Sequence, residues 1–283
     1  MGGRVGEDAT AHPAPHNVAR MSYDLTLLGG GNMGAALLGG LLAAGRDAAS
    51  LAVVEVLPAR RTELVAQFPG VAVLAEVPAT EGVVVAVKPH DVPEAVRAAV
   101  AAGARRVLSI AAGVSIATLQ AAAGADVAVV RSMPNTPALV GEGAAGIAAG
   151  TTATEADLAW GEAILGAVGV VVRVPEHQLD AVTGLAGSGP AYVFLVAEAL
   201  IEAGVLAGLP RAAATTLATQ LLVGSSALLA ERGDPASLRA MVTSPGGTTA
   251  AGLRVLEQRG VRAAVLDAVM AATERSRELG AGH

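Results

Sequence analysis

Tyr23-Asp24-Leu25-Thr26-Leu27-Leu28 is a short apolar run that leads straight into Gly29-Gly30-Gly31-Asn32-Met33-Gly34, and an Ala/Leu-rich segment, Ala35 to Ala44, follows. A strand, a G-x-G-x-x-G turn and a helix in that order are what a dinucleotide site requires. Gly29 allows the turn, Gly31 lets a backbone approach a pyrophosphate, and Gly34 lets helix and strand pack closely. A chain with 35 glycines produces such a spacing by chance, so the flanking strand and helix carry the reading.

The pattern repeats outward from this stretch. A second strand, Leu51 to Val56, contains Glu55 near its end, the acidic position expected to hold the ribose hydroxyls of an adenosine. A carboxylate there favours NAD and repels a 2′-phosphate, whereas Arg60 and Arg61, a few residues on, could serve such a phosphate; a solvated strand end is the plainer alternative for Glu55. Further apolar runs at Val71-Ala72-Val73, Gly82 to Val87, Arg106 to Ile110 and Val127 to Val130 alternate with helical segments such as Pro93 to Ala102 and Ile116 to Ala123. Apolar strands separated by amphipathic helices indicate a doubly wound, Rossmann-type parallel sheet covered on both faces. Ligands of such sheets sit beyond the carboxyl ends of the strands, here Ala86-Val87-Lys88-Pro89-His90, Ser109 to Gly113 and Arg131 to Pro137. Lys88, the single lysine of the chain, either faces cofactor phosphate or ribose or is an ordinary solvated charge.

After Val170-Val171-Val172 the pattern changes, and Arg173-Val174-Pro175-Glu176 reads as a connection. The expected organisation is a disordered tail over 1–20, a dinucleotide-binding domain over 21–172 and an all-α domain over 173–283. Helices are expected at His177 to Ala186 and Pro190 to Gly204, broken by Gly187-Ser188-Gly189, then at Arg211 to Glu231, Pro235 to Met241, Thr249 to Arg259 and Arg262 to Leu279. Segments 190–208 and 212–230 are apolar around most of their circumference, more than so small a domain can bury, so a second copy of the chain is expected to cover them. Ser244-Pro245-Gly246-Gly247 forms a turn opening into a helix at Thr248-Thr249. Unpaired N–H groups and the hydroxyls of Ser244, Thr248 and Thr249 there make either a cradle for a small carboxylate or an ordinary Ser/Thr cap.

Composition removes several classes. The charge balance, 19 Lys plus Arg against 25 Asp plus Glu, gives a net charge of -6 with no basic block, which argues against nucleic acid. Cysteine is absent, so disulfides, a thiolate nucleophile and Cys-type zinc sites are excluded, and no metal site is expected; a reducing cytoplasm fits. The weakly charged window Ala181 to Ala197 contains Gly187-Ser188-Gly189-Pro190 and reads as too polar to span a bilayer. Residues 1–20 carry no apolar run, so neither a signal nor a transit peptide is expected, and Met21 could be the physiological start. Beyond residue 177 there is no Lys, and no His but His283, which leaves Tyr192 as the one proton donor of the kind a ketone reductase or alcohol dehydrogenase needs. An imine reductase needs less, because the C=N nitrogen can be protonated before it enters.

LLGGGNMG, AVKPH, SIAAGVSIATL, RSMPNTPALVGEGAAGIA, DAVTGLAGSGPAYVFLVAEAL, AGVLAGLPR and SPGGTTAAGLRVLE, in that order from Leu25 to about Leu279, resemble pyrroline-5-carboxylate reductase. The resemblance implies NAD- or NADP-dependent reduction of L-1-pyrroline-5-carboxylate to L-proline, with helical dimerisation domains that interlock as dimers and assemble into decamers. It places pyrophosphate on Leu28, Gly29, Gly30, Gly31, Asn32 and Met33, ribose along Ala86, Val87, Lys88 and Pro89, and nicotinamide by Ala111, Ala112 and Gly113, with Asn135 shaping that pocket. Substrate falls to Ser244, Gly247, Thr248 and Thr249, the Thr249 hydroxyl bonding the ring nitrogen. The sequence departs from the family pattern at Ala186, where a hydroxyl is usual, at Glu55-Val56-Leu57, which puts the usual NADPH preference in question, and at Leu238 to Val242. A hydroxyacid dehydrogenase of the same plan would need a lysine in the helical half, and a nucleotide-sensing protein without turnover is the reading from another class.

Overall fold

The computed structural model describes residues 22–281, so the tail expected over 1–20 lies outside the described residues. Its first part is one eight-stranded sheet: β1 (Tyr23–Leu28), β2 (Leu51–Val54), β3 (Ala72–Leu74), β4 (Thr80–Val85), β5 (Arg106–Ser109), β6 (Ala128–Met133), β7 (Gly143–Ala149) and β8 (Gly169–Arg173), in spatial order β3-β2-β1-β4-β5-β6-β7-β8. The chain starts in the middle and winds outward both ways. The reversal between β1, with Leu28 beside Val54 of β2, and β4, with Val85 on its other side, opens a crevice beyond their carboxyl ends.

Helices α1 (Asn32–Ala43), α2 (Pro58–Gln67), α3 (Val92–Ala101), α4 (Ile116–Ala123) and α5 (Glu155–Leu165) cover the sheet. On one face Leu25 and Leu27 pack beneath Leu37, Leu38 and Leu41 of α1 and Ile164 and Leu165 of α5. On the other, Val83, Val85, Val107 and Val129 meet Val92 and Val96 of α3 and Leu119 of α4. Burial of each such side chain contributes about 1.5–3 kcal/mol. The start of α5 is fixed by a reciprocal cap: the Thr154 hydroxyl accepts the Asp157 N–H, and the Asp157 carboxylate accepts the Thr154 N–H at 2.8 Å and Arg106 Nε at 2.9 Å. Burial pushes the Asp157 carboxyl up, but hydrogen bonds from the Thr154 hydroxyl, the Thr154 N–H and Arg106, with the Arg106 charge, outweigh it and hold the group below the ordinary carboxylate range.

The sheet is not wholly parallel. β7 runs antiparallel to β6, with Val130 opposite Ala149 and Met133 opposite Gly146. Neither β7, whose sequence Gly-Ala-Ala-Gly-Ile-Ala-Ala has one β-branched residue, nor α5 stood out from the sequence. Side-chain preference says little about such a strand; its place follows from pairing on both sides.

The second part is helical: α6 (Leu179–Val182), a π turn (Thr183–Gly187), α7 (Gly189–Leu206), α8 (Arg211–Arg232), α9 (Pro235–Met241), α10 (Thr248–Gln258) and α11 (Val261–Ala281). The break expected at Gly187-Ser188-Gly189 is instead this π turn, closed by Ser188 N–H to Thr183 O at 2.8 Å. It forms because Gly184 and Gly187 have no Cβ: one at 184 would lie 2.2 Å from Thr273 Oγ1 of α11, and one at 187 would lie 2.7 Å from Met133 Cε. Because the chain does not stop there, Glu176–Leu206 runs as one apolar helical stretch, and it and Arg211–Arg232 are long and apolar enough to cross a membrane by length and composition, against the polar window expected from the sequence.

Among the described residues one buried side-chain polar atom has no partner: the Thr26 hydroxyl in β1, fully covered by its neighbours. An orphaned hydroxyl costs about 1–3 kcal/mol. Thr26→Val should therefore raise the urea midpoint by the equivalent of about 1 kcal/mol with an unchanged slope. A lower midpoint would mean that the hydroxyl has a bonding partner such as a water molecule.

Candidate functional site

The crevice is built from the glycine turn. Gly29 has φ +105°, and a Cβ on it would lie 2.6 Å from Ala86 O, so only glycine lets the end of β1 cross so close to β4. Its N–H donates to Val54 O at 2.8 Å, and Ala86 N–H donates to Leu28 O at 2.8 Å. At Gly34 a Cβ would lie 2.1 Å from Gly29 O, which ties the first turn of α1 to the turn beneath it. At Gly31 a Cβ would meet nothing within 4 Å. Gly31 is the N-cap of α1, without a side-chain cap, so the first-turn amides around Asn32 and Met33 face open space.

Glu55 directly follows β2 and is nearly buried against this turn. Its Oε2 accepts Gly30 N–H at 3.1 Å and its Oε1 accepts Leu57 N–H at 2.9 Å. Each oxygen keeps a lone pair for a hydroxyl donor. Both arginines fold back onto backbone: Arg60 Nε donates to Gly30 O at 2.8 Å, and Arg61 Nη1 donates to the carbonyls of Glu55 at 2.8 Å and Val56 at 3.0 Å.

Ala86, Val87, Lys88 and Pro89 leave β4 beside the turn, with Lys88 exposed. Ala111, Ala112 and Gly113 leave β5; Ala111 is buried, Ala112 exposed, and Gly113 has φ +77°. Asn135 lies beyond β6, but its amide is engaged elsewhere, with Nδ2 donating to Ala186 O at 3.0 Å and Oδ1 accepting Ala144 N–H at 2.8 Å. Asn135 thus clasps the π turn and β7 together, as part of the wall beyond β6. Tyr192 is likewise no free acid, since its hydroxyl donates to Gly184 O at 3.3 Å.

The second cluster lies on the helical part. Gly246 turns the chain with φ +69°, Gly247 N–H donates to Ser244 O at 3.0 Å, and Gly247 is the N-cap of α10. No side chain caps this helix, which removes the ordinary Ser/Thr cap as an account of the stretch. Ser244 Oγ lies over Gly247, only 2.4 Å from where a Cβ would be. Ser244 and Thr248 are exposed and Thr249 is half-buried.

Within one chain the elements that carry these two clusters do not pack closely on one another. The elements that pack on the strands from the helical part are chiefly α6 and the residues just before it, and α11 lies on α6 and the π turn; α7 packs on α8, and α10 on α11. The helices from α7 to α10 project as an arm whose apolar residues are uncovered, Phe194 at 63%, Leu195 at 65% and Leu217 at 59% exposure among them.

Comparison with known proteins gives a consistent answer. Residues 176–279 match the family model described as pyrroline-5-carboxylate reductase dimerisation, and residues 24–113 match that described as NADP oxidoreductase, coenzyme F420-dependent. The pyrroline-5-carboxylate reductase of Synechocystis sp. is 47% identical over 269 residues, covering 92% of this chain and 99% of its own. A solved pyrroline-5-carboxylate reductase of Coxiella burnetii superposes with a TM-score of 0.84 at 34% identity, covering 91% of this chain and 98% of that one. The Plasmodium falciparum pyrroline carboxylate reductase with NADP bound does so at 0.78 and 30%, with coverage of 91% and 98%.

Gly34 is the position where the crevice tolerates least. Gly34→Ala should cost about 1–3 kcal/mol, because α1 must lift off the Gly29 carbonyl, and the same displacement should weaken dinucleotide binding. Thermal melting and a fluorescence titration with the reduced dinucleotide check this, and an unchanged affinity would mean that the start of α1 does not hold the phosphates.

Proposed function

We propose how this chain, which belongs to the pyrroline-5-carboxylate reductase family, carries out its chemistry. It reduces L-1-pyrroline-5-carboxylate to L-proline with NADH or NADPH. The glycine turn fits a dinucleotide on the structure's own terms, since the space a side chain at Gly31 would fill is open and the amides of α1 that face it have no side-chain cap. Leu28 to Gly34 would hold the pyrophosphate and Ala86 to Pro89 the ribose beside it. The Glu55 carboxylate would take the adenosine hydroxyls, and Ala111 to Gly113 would flank the nicotinamide. When bound, the reduced nicotinamide supplies the hydride that C5 of the imine ring receives.

The rest is done by the protein. The glycine-capped start of α10 binds the substrate carboxylate: charge-assisted hydrogen bonds from free amides and the Ser244 and Thr248 hydroxyls contribute about 1.5–3 kcal/mol each, and the helix dipole up to ~2 kcal/mol. The ring enters with its nitrogen protonated. The Thr249 hydroxyl oxygen accepts that N–H and so fixes which face of C5 is presented; no group of the protein gives or takes a proton at the reacting carbon. Catalysis is orientation in a site shielded from water.

The observation that carries this reading is the uncapped, glycine-headed start of α10. Because the arm holds that start away from the crevice of its own chain, a second copy supplies it. The same pairing covers the apolar faces of α7 and α8, and the dimerisation match over residues 176–279 includes both helices. Glu198, Glu202 and Gln220 within these helices suit a partner protein better than lipid. A cytoplasmic location and stacking of dimers into decamers belong to the same reading, supported by the cysteine-free composition and the family resemblance.

Loss of absorbance from NADH and NADPH in the presence of pyrroline-5-carboxylate tests the assignment, and consumption of neither would favour a nucleotide sensor. Thr249→Ala should lower kcat about a hundredfold while the dissociation constant for the nucleotide stays within about twofold; equal losses in both would remove Thr249 from the reaction. Glu55→Ser should shift the ratio of kcat/KM values towards NADPH by about tenfold, from loss of a charge that repels a 2′-phosphate. An unmoved ratio would show that Glu55 does not read the ribose.

A further inference from the structure

The loop Ala111–Ser115 joins β5 to α4 and, on the reading above, borders the nicotinamide. Its entrance is fixed by the sheet: Ile110 N–H donates to Val85 O at 3.1 Å and Ala111 N–H to Ser109 Oγ at 3.4 Å. Its exit is held from outside the sheet. Ile116, the first residue of α4, donates its N–H to Glu176 Oε1 at 2.7 Å, across 60 positions of sequence. The same oxygen accepts Arg131 Nη1 at 2.9 Å, and the Arg131 side chain is only 11% exposed on β6. A carboxylate at the start of α4 is favoured by the helix dipole, and Ser115 caps the same turn through Thr118 N–H at 3.1 Å.

Glu176 belongs to the first turn of the helical part, just after β8. Its one carboxylate therefore joins three things: the root of that part, the end of β6 and the exit of the loop. At the loop's crest, Gly113 lies against the last turn of α11, where Leu279 and Gly280 stand 4.0 Å from the position of a Cβ. Displacing Glu176 removes the long-range hold on the loop's exit and leaves only local ones, the Ser115 cap and the contact of Gly113 with α11; it also leaves Arg131 a nearly buried cation without the carboxylate that is its one ion-pair partner among the described residues.

We propose that Glu176 is a positioning residue for hydride transfer: through Ile116 and Arg131 it sets the height of the Ala111–Gly113 loop, and so the placement of the nicotinamide relative to the substrate cradle. This rests on the assignment of the crevice to a nicotinamide cofactor. Glu176 itself touches neither reactant. Its replacement should act on the rate of the chemical step and leave the number of competent sites alone.

The test is single-turnover stopped flow on the assembled protein, following absorbance of the reduced nucleotide at saturating pyrroline-5-carboxylate. The rate constant reports positioning, and the amplitude reports the fraction of intact sites. Glu176→Ala should slow the rate constant about tenfold at full amplitude, whereas Glu176→Gln, whose amide oxygen still accepts the Ile116 N–H, should stay within about threefold of the wild type. Glu176→Asp retains the charge but is too short to reach both partners, so it should be slowed like the alanine variant; it replaces that variant if alanine does not fold. Wild-type rate constants in Glu176→Asp and Glu176→Ala, with losses confined to amplitude or Tm, would reduce Glu176 to a structural role and overturn the inference. No turnover by the wild type would overturn the cofactor assignment and this inference with it.

Discussion

The two helices that carry the glycine turn and the SPGGTT stretch, α1 and α10, have glycine at the N-cap and no side chain closing the turn. α4, α5 and α9 spend Ser115, Thr154 and Asp234 on their own first amides, whereas α1 and α10 start at Gly31 and Gly247 and spend nothing. An open helix start is a standing demand for an anion. The reaction brings together two anionic reactants, a dinucleotide and a ring carboxylate, and the function proposed above gives one such start to each. Much of the architecture serves to keep those donors free: Gly29 and Gly34 bring α1 down onto β1 and β4, and the turn at Gly246 delivers α10.

How much of this was legible in sequence depended on whether a residue type was forced by backbone geometry. The strands at the sheet centre were readable because Leu, Val and Ile fill both faces. The glycine turn was readable because its strand and helix flank it in the right order. β7 was not, since a run of Ala and Gly carries no period and what fixes it is pairing with β6 and β8. The π turn was half legible: Gly184 to Gly189 signalled an interruption, but only the packing of Gly184 on Thr273 and Gly187 on Met133 decides that the helix widens there and continues.

The site divides in the same way. The positions named from the glycine motif and from SPGGTT lie where the motifs place them, at a crevice and at a helix start. What sequence could not supply is the use of individual polar atoms. Asn135 is engaged by Ala186 and Ala144, Tyr192 by Gly184, and Glu55 by two backbone amides. Glu176 gave no signal, because its partners Ile116 and Arg131 stand 60 and 45 positions away and only the fold makes them neighbours. Long-range polar contacts of this sort have no local pattern to read.

The bare arm of α7 and α8 has a bearing on what stability means for this molecule. A subunit that leaves Phe194, Leu195, Leu217 and Leu221 in water has no well-defined folding free energy of its own, since those residues are buried only in company. Melting should then depend on how much protein is in the tube, and diluted or scarce subunits become prey for proteases and chaperones before they ever meet a substrate.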